Sequence, residues 1–474
     1  QPAMGANFLT SGVRNDIIIL YKIRESRMVC PRRRDLRWTG DGMPEFRKAL
    51  NKAVRFYKRY EYLFFAAAFL ALAVVLRMCW LDFRSGDYNS FLSKWFDEIK
   101  EAGGLKGFAS TVGDYTPMYK YIITFLTYLP MNSLYSYKMV SCIFDVVLAV
   151  FAGLTVRHIL GGNNLAGLMA YAVVLFLPVV FLNSAVWAQC DSIYTGFCLM
   201  SFYFLLKGKG RVSMTLYAIA FSFKLQAIFY APAVVVFFLK GRLKFTDLLF
   251  FPLTYVLCAL PATFAGMNFL DALFGAYSVQ LEEYPRLTLN APNLYQMLSD
   301  SYNENEQLGD MMLVFSVGVC AIFCTYFYKA RYRQDDRTAL LTAYLFSVLM
   351  PFILPHMHER YFYMADIFAV IFTFAYPRKA YISGVTAYCS MRAVVKFLFD
   401  GGATKVSLMQ VAFLMGAAIV ALCIFVFREL NARKIGPESA AEGLSSPEEV
   451  KRQLTEPSGT LQDSIVTGEV HDKD

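Results

Sequence analysis

Long apolar runs alternate with short charged stretches from residue 62 to residue 427. A run of roughly 20 apolar residues is what a bilayer crossing requires. The first run covers about 62–81 and ends at Trp80-Leu81, a suitable interface anchor. A polar stretch, 82–113, follows and contains SFLSKWFDEIKEAG, in which Phe91, Trp95 and Ile99 fall at i, i+4 and i+8. That spacing predicts an amphipathic helix lying in the interface. Further apolar segments fall at 116–130, 137–156, 165–183, 193–206, 247–265, 311–328, 339–354, 362–376, 380–398 and 406–427.

Two basic loops, KGKGR (207–211) and KGRLK (240–244), are separated by only 28 residues. Both should lie on the same side, which one full helix between them cannot achieve. Two half-spans meeting near Lys224 can, and broken helices are tolerated where they line a cavity. Lys224 is therefore expected to face a cavity. Simple alternation does not close between 116 and 192, so one segment there should not cross. The fold class expected is an all-α integral membrane bundle of about 12–13 membrane segments, with no internal repeat.

Charge orients this bundle. Residues 1–61 carry 14 Lys/Arg against 6 Asp/Glu, immediately before the first apolar run. The positive-inside rule makes this segment cytoplasmic and the 82–113 and acidic 267–309 stretches extracytoplasmic. The same rule, with anionic lipid, accounts for the net charge of +9 without nucleic acid. A hydrophobic content of 57% and a mean hydropathy of +0.40 exclude an ordinary soluble domain. The expected organisation is a basic cytoplasmic segment (1–61), a membrane bundle (62–434) and a disordered cytoplasmic tail (435–474) rich in Ser, Glu, Pro and Gly. The chain begins with Gln, and QPAMGA reads as a processed or vector-derived start. Ten cysteines show no spacing that suggests zinc or a disulfide framework.

Few polar residues sit where chemistry could use them. Asp87 follows the first run and reads either as a catalytic carboxylate or, like Ser85, as the cap of the interfacial helix. Asp114 and Tyr115 open the next segment before Pro117, where Asp114 suits a cap. Trp187, Gln189 and Asp191 lie in WAQCDS at a membrane boundary, where Asp191 reads also as a solvated interface residue. Lys224 and Gln226 lie at the expected break, and Lys224 could pair with the intramembrane Asp145. PHMHERY (355–361) holds His356, His358, Glu359 and Arg360. It reads as a phosphate clamp through His358 and Arg360 with Glu359 orienting them, as a metal site, or as an interfacial anchor.

Four stretches, in this order, resemble the GT-C superfamily of polyprenyl-phosphate-sugar-dependent glycosyltransferases: GDYNSFLSKW (86–95), DYTPMY (114–119), WAQCDSIYTG with FKLQAIFYAP (187–196 and 223–232), and HMHERYF (356–362). The likeness is to endoplasmic-reticulum glucosyltransferases using dolichyl-phosphate-glucose and to prokaryotic mannosyltransferase-like relatives. It implies that Asp87 is the general base of an inverting transfer. It implies that Trp95 sits on the juxtamembrane helix and that Lys224, Gln226, His358 and Arg360 bind the donor phosphate. It implies a lipid-phosphate sugar donor, a glycan or lipid-linked acceptor on the extracytoplasmic side, and no metal or cofactor. Thr116 stands where such chains often have Pro, and Cys190 where they often have a small or aliphatic residue. A transporter or flippase of lipid-linked saccharides remains the alternative, and a saccharide polymerase using a diphosphate-linked donor a second.

Overall fold

The computed structural model describes residues 43–113, 115–277, 286–298, 303–399 and 406–434. Asp114, most of the basic N-terminal segment and the tail from 435 lie outside the described residues. Contacts divide the chain into two units at Glu61/Tyr62. The structure is almost wholly helical, and the second unit carries the site.

Helix α1 (Met43–Met78) leads into a turn and a π-helical turn, Tyr88–Leu92, which runs straight into α2 (Ser93–Ala102). Then come α3 (Pro117–Leu126), α4 (Ser133–Ile159), α5 (Asn164–Phe176), α6 (Asp191–Leu206), α7 (Gly210–Phe223) and α8 (Ala231–Leu239). The rest are α9 (Phe250–Phe264), α10 (Glu306–Lys329), α11 (Asp336–Ile353), α12 (Tyr363–Ala375), α13 (Ala380–Phe399) and α14 (Leu408–Ala432). A two-residue parallel pairing joins β1 (Thr288–Leu289) to β2 (Met357–His358).

Seven of the described helices are long and apolar enough to cross a membrane, and α5 with Pro178–Val186 makes one more span bent by 47°. The chain is an integral membrane protein. Four further passes between the two ends of the bundle use shorter helices: Asp191–Leu206, Gly210–Phe223, Leu225–Leu239 and Tyr363–Ala375. Helices of 13 to 16 residues rise only about 20–24 Å, short of the ~30 Å hydrocarbon layer. The expected 12–13 segments are thus not all full crossings. The short ones are those that end at Asp191, Lys224 or the His358–Arg360 turn.

The segment that does not cross is α3. Its first turn is held at the site end, where Thr116 Oγ1 donates to the Ser222 and Phe223 carbonyls at 2.6 and 3.0 Å. The next helix starts at the same end, where the Tyr88 and Ser133 hydroxyls bond at 2.8 Å. This resolves the parity between 116 and 192. The chain does break at Lys224, which is extended (φ −156°, ψ 134°) between α7 and a 3-10 turn. The apolar stripe of the interfacial segment differs from the expected one. Tyr88, Leu92, Phe96 and Ile99 are buried, whereas Phe91 is exposed and Trp95 only partly covered. The buried residues keep helical spacing and form one face that leaves Phe91 outside and Trp95 at its edge.

Arg77 and Lys138, both buried in the bundle, have partners there. Arg77 donates through Nε and Nη2 to Asp145 Oδ2 at 3.0 and 2.8 Å and through Nη1 to the Ala73 and Leu175 carbonyls. Ser184 donates to the same Asp145 oxygen at 2.5 Å. Asp145 is therefore the partner of Arg77, not of Lys224. Lys138, fully buried, donates to the carbonyls of Trp80, Leu81 and Phe83 at 2.8, 2.9 and 2.6 Å. It closes the C-terminal end of α1, where a cation suits the helix dipole. That fixes the turn four residues before Asp87.

Breaking one side of the Arg77–Asp145 pair strands a buried charge. Asp145→Leu is expected to lower stability by about 3–5 kcal/mol, with much of the loss recovered in the double variant Arg77→Met/Asp145→Leu. Thermal denaturation in detergent checks this. Additive losses in the double variant would refute the pairing.

Candidate active site

Asp87 does not act as a helix cap. Ser85 does, its Oγ accepting from the Tyr88 amide at 3.1 Å while donating to the Trp187 carbonyl at 3.0 Å. The Asp87 side chain makes no capping bond. Its Oδ2 accepts instead from Trp187 Nε1 at 2.8 Å and Gln189 Nε2 at 2.9 Å. Oδ1 accepts no hydrogen bond among the described residues, and Asp87 lines a cavity of about 490 Å³.

Trp187 and Gln189 can both reach Asp87 because of the residue between them. Ala188 has φ +65°, a left-handed conformation that costs a non-glycine residue about 1–3 kcal/mol. The turn follows a π-helical segment, Leu182–Val186, and is completely buried. Gln189 is oriented in turn by Tyr115, whose hydroxyl donates to Oε1 at 3.3 Å. Trp187 stacks on Phe397 with centroids 4.8 Å apart.

Arg360 joins the site's carboxylates. Nη1 lies 3.7 Å from Asp87 Oδ2 and 3.2 Å from Glu359 Oε1, and Nε lies 3.8 Å from Asp191 Oδ2. Its guanidinium sits 5.2 Å over the Trp187 ring. Asp191 is no solvated interface residue. It is fully buried, accepts from Lys224 Nζ at 2.5 Å and from Asn183 Nδ2 at 2.7 Å, and holds the break between α7 and α8 in place. Lys224 thus points to Asp191 and does not line the cavity, contrary to expectation. Gln226 is buried and does not line it either.

The 355–361 turn is held by the 286–298 loop. The His356 and Glu359 amides donate to the Leu287 and Leu289 carbonyls at 2.8 and 3.0 Å. The two histidines separate. His356, with φ +62°, places Nδ1 3.0 Å from the Arg286 carbonyl, while His358 lines the cavity. No cluster of three or more His, Cys, Asp or Glu suited to a metal ion occurs among the described residues. Burial, and then the charges of Arg360 and Lys224, hold the His358 imidazole well below its ordinary pKa. It is neutral near pH 7 and offers a hydrogen bond rather than charge. Burial pushes the Glu359 carboxyl up to about 7, against the opposing pull of Arg360.

Of the residues singled out in the sequence, Asp87, Trp95, Tyr115, Gln189, His358, Glu359 and Arg360 line one cavity. Trp187 and Asp191 lie directly behind it, and Asp114 lies outside the described residues. Thr111, Leu289, Asn290 and Phe397 line it without having been foreseen. The left-handed Asn290, φ +60°, was detectable only as a turn-forming residue in a long loop.

A family model for glycosyltransferase family 87 matches residues 114–355. The chain belongs to that family. Family 87 is of the GT-C type, so the resemblance drawn from the motifs stands, the protein is a glycosyltransferase, and the transporter alternative falls away. The match covers Tyr115, the WAQCDS turn and Lys224. It begins after Asp87 and ends one residue before His356, so it does not speak to these two parts of the cavity. No curated protein matches the chain.

Trp95 forms one wall by lying on Gly113, where an added Cβ would come within 2.6 Å of the ring. Gly113 also has φ +67°. Gly113→Ala is expected to displace Trp95 and cut turnover at least about tenfold, while costing only about 1–2 kcal/mol of backbone strain. Initial rates and thermal midpoints, measured together, separate the two effects. An unchanged rate would remove Trp95 from the substrate-contacting wall.

Proposed function

We propose that the protein transfers a hexose from a polyprenyl-phosphate carrier to a glycan or lipid-linked acceptor on the extracytoplasmic side, with inversion at the anomeric carbon. The observation that carries this reading is the Asp87 carboxylate. One oxygen is anchored by Trp187 and Gln189, and the other accepts no hydrogen bond among the described residues of a large cavity. A carboxylate so placed suits a general base. It takes the proton of an acceptor hydroxyl as the oxygen bonds to the anomeric carbon. The bond from that carbon to the phosphate oxygen breaks, and the lipid phosphate leaves. A β-linked donor gives an α-linked product.

Arg360 is the cation of the cavity wall, and its planar fork matches a phosphate. His358 offers a neutral hydrogen bond beside it. Lys224 acts at one remove, by holding Asp191, which lies on the far side of the Arg360 guanidinium. Gln226 has no direct part in this scheme. The basic residues at the other end of the bundle, in the KGKGR and KGRLK loops, support an extracytoplasmic site. The sugar and the acceptor are the open identities.

Purified protein with a panel of synthetic polyprenyl-phosphate sugars and a crude glycan acceptor is expected to consume one donor. Asp87→Asn should fold normally and lose about 10²–10⁴ in rate. Near-normal turnover in that variant would remove Asp87 as base. Silence of the wild type with every lipid-phosphate donor would reject this donor class.

Glu359 adds a pH dependence. It carries a proton below about 7 and loses it above. Protonation leaves Arg360 less neutralised, so donor affinity should rise as pH falls through about 7. The slope should be absent in Glu359→Gln. Donor KM measured from pH 6 to 8 in both proteins decides, and an identical slope in both would exclude Glu359.

A further inference from the structure

A second hollow lies at the opposite end of the bundle. Helix α11 leads away from it to the His358–Arg360 turn, and α12 returns to it. It has a volume of about 500 Å³. Leu160, Phe374 and Phe425 give it apolar walls, and Arg337, Arg378 and Lys379 supply its charge. No acidic residue lines it.

Several other basic groups at this end are already paired. Arg433 is bound to Asp335 and Glu429. Arg242 and His158 share Asp336, and Lys240 donates to the Tyr328 and Ala330 carbonyls. Arg211 lies beside Asp247. Around the hollow, two of the charges lie on rings. Arg337 lies 5.7 Å over Tyr376, and Lys379 lies 5.6 Å from Phe425 and 5.9 Å from Tyr381. Among the described residues none of the three has a carboxylate partner. The buried Tyr376 hydroxyl also makes no hydrogen bond there. An excess of Lys and Arg at one face follows from orientation alone. Their convergence without acids on an apolar recess does not.

We propose that this recess binds an anionic phospholipid, its phosphate held by Arg337, Arg378 and Lys379 and the start of an acyl chain lying on Leu160, Phe374 and Phe425. Basic pockets between membrane helices suit such headgroups. Arginine favours phosphate through its paired donors. The apolar walls favour a lipid over a soluble anion. The site is separate from the candidate active site and does not depend on the reaction assigned to it.

The test uses the full chain in zwitterionic detergent. Thermal midpoints are measured with added phosphatidylglycerol, phosphatidylcholine or inorganic phosphate, and bound lipids are counted by native mass spectrometry. Phosphatidylglycerol alone should raise the midpoint, with at least one molecule retained. The triple variant Arg337→Gln/Arg378→Gln/Lys379→Gln should lose both the shift and the retained lipid. Lys209→Gln/Arg211→Gln/Lys244→Gln, at the second basic recess of this end, which Asp247 lines, should keep them. An equal response in wild type and the first triple variant would overturn the proposal, as would an equal response to phosphatidylcholine or phosphate. The acidic segment 435–474 is the competing occupant. If its removal destabilises wild type but not the triple variant, and added lipid has no effect, the recess holds that segment and the lipid proposal fails.

Discussion

Asp191 is the ion on which the site's architecture rests. It is buried completely, is bonded to Lys224 and lies 3.8 Å from Arg360, which Glu359 also neutralises. A lone charge in so dry a place would cost several kcal/mol, whereas a paired and hydrogen-bonded one is tolerated. The pairing has a geometric consequence. Asp191 starts α6, Lys224 sits between α7 and α8, and Arg360 lies between α11 and α12. Satisfying one carboxylate therefore draws three distant parts of the chain to one point. Four of the helices that meet there, α6, α7, α8 and α12, are shorter than a full crossing, and their broken backbone is buried in protein, where it is allowed.

The next layer of the site is built on that point. Arg360, held from behind by Asp191 and Glu359, faces Asp87 and lies over Trp187. The indole and Gln189 anchor one oxygen of Asp87, and the left-handed Ala188 lets both do so. From the other side, Lys138 and Ser85 fix the turn that delivers Asp87. The carboxylate is thus positioned by residues of α4 and the WAQ turn rather than by its own helix. This is why the capping alternative fails: Ser85 satisfies the free amide and leaves Asp87 for the cavity.

Several expectations survived because they rest on forces visible in one dimension. Apolar length, the break between two basic loops and the non-crossing segment all follow from bilayer thickness and charge placement. Others failed because they needed a partner. Lys224 was correctly placed inside the bundle, but whether it faced a cavity or a carboxylate depended on where Asp191 would fall. Arg77, at the end of the first apolar run, gave no sign that it would take Asp145 instead. The stripe Phe91, Trp95, Ile99 was one of two neighbouring apolar stripes, and packing chose the one through Leu92, Phe96 and Ile99.

The amino-acid sequence by itself determined that this is a polytopic helical membrane protein, and the order of its motifs determined its superfamily. Hydrophobic length and motif spacing are local quantities, and a chain carries them unfolded. The tertiary structure alone decided which polar residues share a cavity, which of them serve only to hold others, and that Asn290 and Phe397 belong to its wall. Those outcomes depend on pairing buried charges across helices far apart in sequence, and such pairings exist only once the bundle has closed.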